Sequence, residues 1–141
     1  MSGADSPAIL EAYNKVRSDD SPTNFLVITY AESRGSELVL EGTGEGGLEE
    51  LLSFMHDDKA QYGYVRMKHR DGKGSWMKSF VFITWIGRKT NTVRRARVLG
   101  RESGVVKAVW KDYCVAVDAE ELEDLNEENI IGLCKGANNV D

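Results

Sequence analysis

The run Phe80-Val81-Phe82-Ile83-Thr84-Trp85-Ile86-Gly87 is apolar at almost every step and rich in aromatic and β-branched side chains. A run of that length without alternation reads as a strand covered on both faces. Such a strand needs helices above and below it, so the chain is confined to a layered α/β architecture. At 141 residues there is room for one such domain. That length buries a core without disulfide or metal staples.

Around this spine the sequence predicts alternating helices and strands. Ser6-Pro7 opens a helix, with Ser6 as N-cap and Pro7 in the first helical position. Ile9, Tyr13 and Val16 repeat at helical spacing, and Ser18-Asp19-Asp20-Ser21-Pro22 ends the helix in a turn. Asn24 to Tyr30 and Glu37 to Glu41 read as strands whose short link makes them antiparallel. Leu48, Leu51, Leu52 and Met55 mark a short helix. Tyr62 to His69 and Trp76 to Ile86 are the third and fourth strands, joined by the turn Arg70 to Ser75. Val105, Val106, Val109 and Trp110 form a helical stripe, and Gly100 and Gly104 predict a bend or a late helix start near it. Tyr113 to Val117 is a fifth strand. Asp118 with Glu121 reads as a capping box opening a last helix that carries Leu122, Leu125, Ile130 and Ile131. The strand–helix–strand step between the fourth and fifth strands permits a parallel pair. The expected fold is a mixed five-stranded sheet with helices on both faces. Residues 5–135 form the domain, between a flexible N-terminus at 1–4 and a flexible tail at 136–141.

Charge is the strongest functional signal. Between Lys59 and Lys111 stand 14 Lys/Arg and two acids, Asp71 and Glu102, whereas the flanks hold 4 Lys/Arg and 21 acids. The net −5 therefore divides into +12 in the middle and −17 outside. Such asymmetry predicts a basic binding face. The competing reading is that acidic flanks lie against the basic middle and neutralise it. On a helix Arg94, Arg97 and Arg101 would share one face. Lys107 and Lys111 follow at i, i+4, and Lys73 and Lys78 flank the turn between strands three and four. Arginine forks suit carboxylates and phosphates alike, so charge does not choose between an acidic protein, an anionic lipid and a nucleic acid.

Catalytic signals are sparse. His56 and His69 have no nucleophile or acid at a recognised spacing, and no Cys/His metal pattern exists. Gly42, Gly44 and Gly47 match GxGxxG, but the preceding strand belongs to a hairpin and no acid closes the next strand to read a ribose. No enzyme, cofactor or metal is expected. Cys114 and Cys134 read as reduced thiols of an intracellular protein. No signal peptide and no transmembrane segment is legible.

Three segments resemble one known family. Ala12-Tyr13-Asn14-Lys15-Val16-Arg17-Ser18-Asp19-Asp20 resembles its first-helix motif AYNxVRxDxS. Phe80 to Gly87 resembles its strand KFALITWIG, and Val93-Arg94-Arg95-Ala96-Arg97 resembles its segment LQRAK/R. They stand in the same order. The family is coactosin, within the ADF-homology (gelsolin/cofilin-like) domains. The resemblance implies a cytoplasmic, cytoskeletal protein that binds actin, chiefly filaments. It implies modulation of filament dynamics without severing, and opposition to barbed-end capping. The implied contacts are Arg95 and Arg97, then Lys107 and Lys111 on the long helix that follows. Arg94, Arg101, Lys73 and Lys78 join the candidates on charge. The alternative reading is an anionic-lipid (phosphoinositide) or nucleic-acid binding module on the same basic surface, with nucleic acid not the expected partner. The family has a lysine immediately before its central strand. Ser79 stands there instead, with Lys78 one residue earlier, and one step along a strand turns a side chain to the other face. Trp76 and Met77 also replace basic residues of the family. The segment from Arg97 to Lys107 is one residue longer than the family's.

Overall fold

The computed structural model describes residues 3–138. Its strands are β1 (Phe25–Tyr30), β2 (Leu38–Gly44), β3 (Ala60–Arg70), β4 (Trp76–Ile86) and β5 (Val115–Ala119). Its α-helices are α1 (Pro7–Arg17), α2 (Gly47–Leu52), α3 (Thr92–Arg97), α4 (Ser103–Val109) and α5 (Glu127–Asn138). The sheet order is β2-β1-β3-β4-β5, antiparallel throughout except for the parallel β4–β5 pair. This is the mixed five-stranded sheet that the sequence predicts.

Alternation along the strands feeds two cores. Leu26, Ile28, Tyr62, Tyr64 and Phe82 face α1 and the helix that starts at Thr92. Phe25, Val27, Val65, Val81, Ile83 and Trp85 face α2 and α5. Both sides of β4 are therefore dry from Val81 to Ile86, which is why the sequence does not alternate there. Gly87 ends the run because the chain at residues 56–57 passes against it. A Cβ there would lie 2.4 Å from the Asp57 carbonyl. The same segment accepts the Trp85 indole N–H at the His56 carbonyl, 2.7 Å away.

Two of the glycines of GxGxxG have a packing role, and the third, Gly47, supplies a positive φ at the start of α2. Gly42 and Gly44 lie in β2, which runs past the predicted end at Glu41. A Cβ on Gly42 would sit 2.3 Å from the Phe54 ring. Close approach between strand and core, rather than a phosphate cradle, accounts for the residue type.

Two other boundaries differ from expectation. Asp118 does not cap a helix; it pairs with Thr84 in the β4–β5 ladder, which holds it extended. The capping box is three residues later, with Glu121 and Asp124 closing the 3-10 turn Leu122–Leu125 before α5. Ala4, assigned to the N-terminal segment by sequence, is 2 % exposed within the first core, and α5 continues through Gly136 to Asn138. Met1, Ser2 and Asn139 to Asp141, the rest of the two predicted flexible ends, lie outside the described residues.

Buried tyrosines give this fold a pH limit. Burial, more than any neighbour, raises the hydroxyl pKa of Tyr30, Tyr62 and Tyr64 above the usual tyrosine value. Unfolded tyrosines ionise near pH 10. Above that pH the unfolded chain has lost protons that the native chain keeps. Stability is thus intact below about pH 10 and falls as pH rises, by up to about 1.4 kcal/mol per pH unit for each such tyrosine. Tyrosinate absorbance should rise cooperatively with loss of helical circular dichroism for these three groups. Ionisation of all tyrosines with the fold intact would contradict it.

Candidate functional site

The long helix is the element that displays the basic cluster. Asn91 caps it, its side chain accepting from the N–H groups of Val93 at 2.8 Å and Arg94 at 3.2 Å. The helix does not break at Gly100. It runs from Thr92 to Val109 and passes through a π-helical turn at Val98–Glu102, where the Ser103 N–H donates to the Val98 carbonyl. A π turn holds one residue more than an α turn. Everything beyond it is therefore one position later in phase.

That phase change sorts the side chains. In an unbroken α-helix the residue aligned with Arg94 two turns later is Arg101. With the surplus residue it is Glu102, and the two pair at 3.6 Å. Arg94 is 6 % exposed. Its guanidinium donates to the carbonyls of Gly35 (2.7 Å), Glu32 (3.1 Å) and Ser33 (3.3 Å), and lies 3.8 Å from the Tyr30 ring centroid. It straps the helix to the β1–β2 link. The predicted shared face of Arg94, Arg97 and Arg101 does not form, because Arg94 points inward while Arg97 and Arg101 are exposed. The same shift buries Val106 and Trp110 and leaves Val105, a member of the same helical stripe, 52 % exposed.

The acidic flanks neutralise part of the basic middle, as the competing reading of charge expects. Lys59 pairs with Glu41, Lys78 with Asp19, Arg88 with Glu121, Lys89 with Asp57 and Arg95 with Glu120. Arg95 also donates to the Gly87 carbonyl at 3.1 Å. Arg66 is spent on the carbonyls of Val16, Ser18 and Ser21, which secures the end of α1. Among the described residues, the cations of this middle stretch without an ion pair or a side-chain hydrogen bond are Lys68, Lys73, Arg97, Arg101, Lys107 and Lys111. Four of the six lie on or just after the long helix. Lys107 is half-buried, its ammonium 5.8 Å from the Phe82 ring centroid.

Apolar surface accompanies these charges. Val93, Leu99 and Val105 are more than half exposed on the same helix. Sequence periodicity alone could not assign Val105 outward, because the π turn is what rotates it. A groove of about 660 Å³ runs beside it, lined by Ala4, Tyr30, Leu38, Arg101, Glu102 and Val105. Apolar floor beside an arginine rim is the composition of a protein-docking surface.

The second candidate region is the β3–β4 hairpin. β1 pairs with β3 only as far as Val65, and β5 pairs with β4 only from Val81 onward. Beyond them Arg66–Arg70 and Trp76–Phe80 form a two-stranded ribbon. At its tip Trp76 is 64 % exposed, with the Arg70 guanidinium 4.3 Å from the ring centroid. Lys73 projects from the turn. Lys78 faces the first core and bonds Asp19, and that hydrogen bond holds the Asp19 carboxyl below the usual range. Ser79 faces the second core, is buried, and bonds His69 Nε2 at 2.8 Å. Lys78 therefore does not project where Ser79 does.

The chain matches the family described as cofilin/tropomyosin-type actin-binding protein over residues 2–135. It belongs to that family of ADF-homology domains, which bind rather than catalyse. Within the family its similarity runs to coactosins. Coactosin of Entamoeba histolytica is 29% identical over 141 residues, covering 100% of this chain and 95% of the relative. Coactosin-like protein of Bos taurus is 32% identical over 139 residues, covering 95% and 92%. Drebrin-like protein of Mus musculus is 34% identical over 135 residues and 94% of this chain, but the chain spans only 30% of that relative's length. The crystal structure of the Entamoeba histolytica coactosin superposes with a TM-score of 0.83 at 27% identity, over 92% of each chain. The solution structure of mouse coactosin, described as an actin filament binding protein, gives 0.77 at 26% identity, over 96% of this chain and 92% of that one. No helix among the described residues is long and apolar enough to cross a membrane.

Proposed function

We propose that this protein binds actin, chiefly filaments, through the outward side of the long helix. The observation that carries the proposal is the concentration there of cations held in no ion pair among the described residues, Arg97, Arg101, Lys107 and Lys111, beside exposed Val93, Leu99 and Val105. Membership of an actin-binding family supplies the identity of the partner, and the likeness to mouse coactosin supports the filament as its form. The charges give orientation and encounter rate, and the apolar side chains give burial. Arg95 contributes after exchanging Glu120 for an actin carboxylate. Lys73 makes a second, peripheral contact from the hairpin. On this reading the protein associates along filaments without severing them, modulates their dynamics and counters barbed-end capping. The protein then works in the cytoplasm, on the actin cytoskeleton.

Co-sedimentation with actin filaments at low and moderate salt tests this. The chain should pellet at both, more weakly at higher salt. Arg95→Ala with Arg97→Ala should raise the Kd about 10- to 100-fold with the fold intact. Phosphoinositide vesicles, added as competitors, should displace filaments if the same cations hold both. Absence of pelleting at either salt sinks the proposal.

A further inference from the structure

Between the long helix and the β4–β5 pair lies a notch whose charge is opposite to that of the helix beside it. The parallel register Thr84↔Asp118 sets these two side chains next to each other, on the face of the sheet that Phe82 and Ile86 share. Arg95 and Leu99 of the long helix and Glu120 line the same notch, which measures about 350 Å³. Ile86 and Leu99 give it apolar wall. Thr84 is 2 % exposed, and its hydroxyl has no hydrogen-bond partner among the described residues. A buried hydroxyl left in that state costs free energy that a ligand's donor can restore. Asp118 is exposed and held in no ion pair among the described residues. Asp124, also on the notch, accepts from the N–H groups of Glu120 at 3.1 Å and Glu121 at 3.2 Å. Three carboxylates thus accompany one cation, Arg95, which pairs with Glu120 at 3.6 Å.

We propose that this notch receives an arginine side chain of the protein that docks on the long helix, an inference that rests on the docking proposed above. The acceptors on offer are the carboxylates of Asp118 and Glu120 and the hydroxyl oxygen of Thr84. A guanidinium carries five N–H donors in one plane, so it can meet acceptors that come from different elements. The apolar wall takes the methylene stem. Arg95 and Glu120 then change partners together. A carboxylate of the docking protein takes Arg95, and the incoming arginine takes Glu120. Neither member of the pair is left as an uncompensated charge in the interface. The docking surface is therefore two-signed, with cations along the helix and an acidic notch beside Arg95. Such a pattern fixes the register of the partner as well as attracting it.

The sign of one substitution tests this. If charge acted only at long range, removing a carboxylate from a protein that docks through cations should tighten its hold on an acidic surface. The notch predicts the reverse for Asp118→Asn. Co-sedimentation with actin filaments at moderate salt should show a Kd raised about 10-fold, with Tm unchanged. Glu123→Gln removes an exposed acid outside the notch and should bind as wild type or tighter. Thr84→Val keeps the buried shape. It should not lower Tm, since the hydroxyl it removes has no partner in the fold, but it should weaken pelleting. Titration of the full chain with N-acetyl-argininamide, followed by backbone amide resonances, reads the notch with no filament present. Saturable shifts are expected at Thr84 and Asp118 and should be lost in Asp118→Asn. An Asp118→Asn protein that pellets as well as wild type, or better, would overturn the notch and leave the docking standing. A wild-type chain that does not pellet would instead remove the docking. In either case, shifts that are absent or spread evenly over the chain overturn the notch.

Discussion

Arg94→Ala is expected to cost about 3–5 kcal/mol of stability, the range for breaking a buried ion pair from one side. Removing the guanidinium takes the donor from the carbonyls of Glu32, Ser33 and Gly35 at once. It also strands the Glu102 carboxylate, which is largely buried and accepts from the Ser36 hydroxyl at 3.0 Å. At this chain length that loss corresponds to a fall of roughly 10–20 °C in Tm. Thermal denaturation followed by circular dichroism measures it. Arg97→Ala, an exposed change three residues along, should stay within about 0.5 kcal/mol of wild type. The pair of variants separates the two roles in one motif. A stable Arg94→Ala protein that no longer pelleted with filaments would move Arg94 from strap to contact.

Trp110→Ala should cost a similar amount, about 3–5 kcal/mol. Trp110 is fully buried at the end of the long helix. Its ring centroid lies 6.1 Å from that of Tyr13, 5.8 Å from that of Tyr64 and 5.8 Å from that of Phe82. It therefore joins α1, β3, β4 and the long helix in one aromatic cluster. The cavity left by alanine opens directly beneath the helix that carries Lys107. Trp76→Ala, at the exposed hairpin tip, should lie near zero on the same denaturation curve. Equal midpoints for the two alanine variants would show that the aromatic cluster does not hold the helix down.

The spine of the fold was legible because burial on both faces leaves a continuous apolar run, and Phe80 to Ile86 is one. The pairing of consecutive strands followed from turn chemistry and from the one step long enough for a parallel crossover, whereas the β1–β3 pairing that completes the order joins strands distant in sequence. The capping residue was displaced because Asp118 is claimed by the β4–β5 ladder, a contact distant in sequence. The candidate site was legible in part. Counting charges found the segment, and the family motifs found Arg95 and Arg97. Neither could tell Arg94 from Arg97. That distinction depends on three carbonyls near residues 32–35, which no local pattern around residue 94 encodes. Likewise Val105 and Val106 are chemically identical. Only the turn at Val98–Glu102 decides which of them meets water.

That turn also sets what kind of sequence change the long helix can absorb. An insertion inside a regular helix swings all later side chains by about 100°, which would carry Trp110 out of the core and Lys107 away from its neighbours. A surplus residue confined to one wide turn leaves both ends in phase, since Val98 and Val106 still face the same core. A chain without the surplus residue would close that turn to ordinary α geometry and keep both its hydrophobic seam and its outward face.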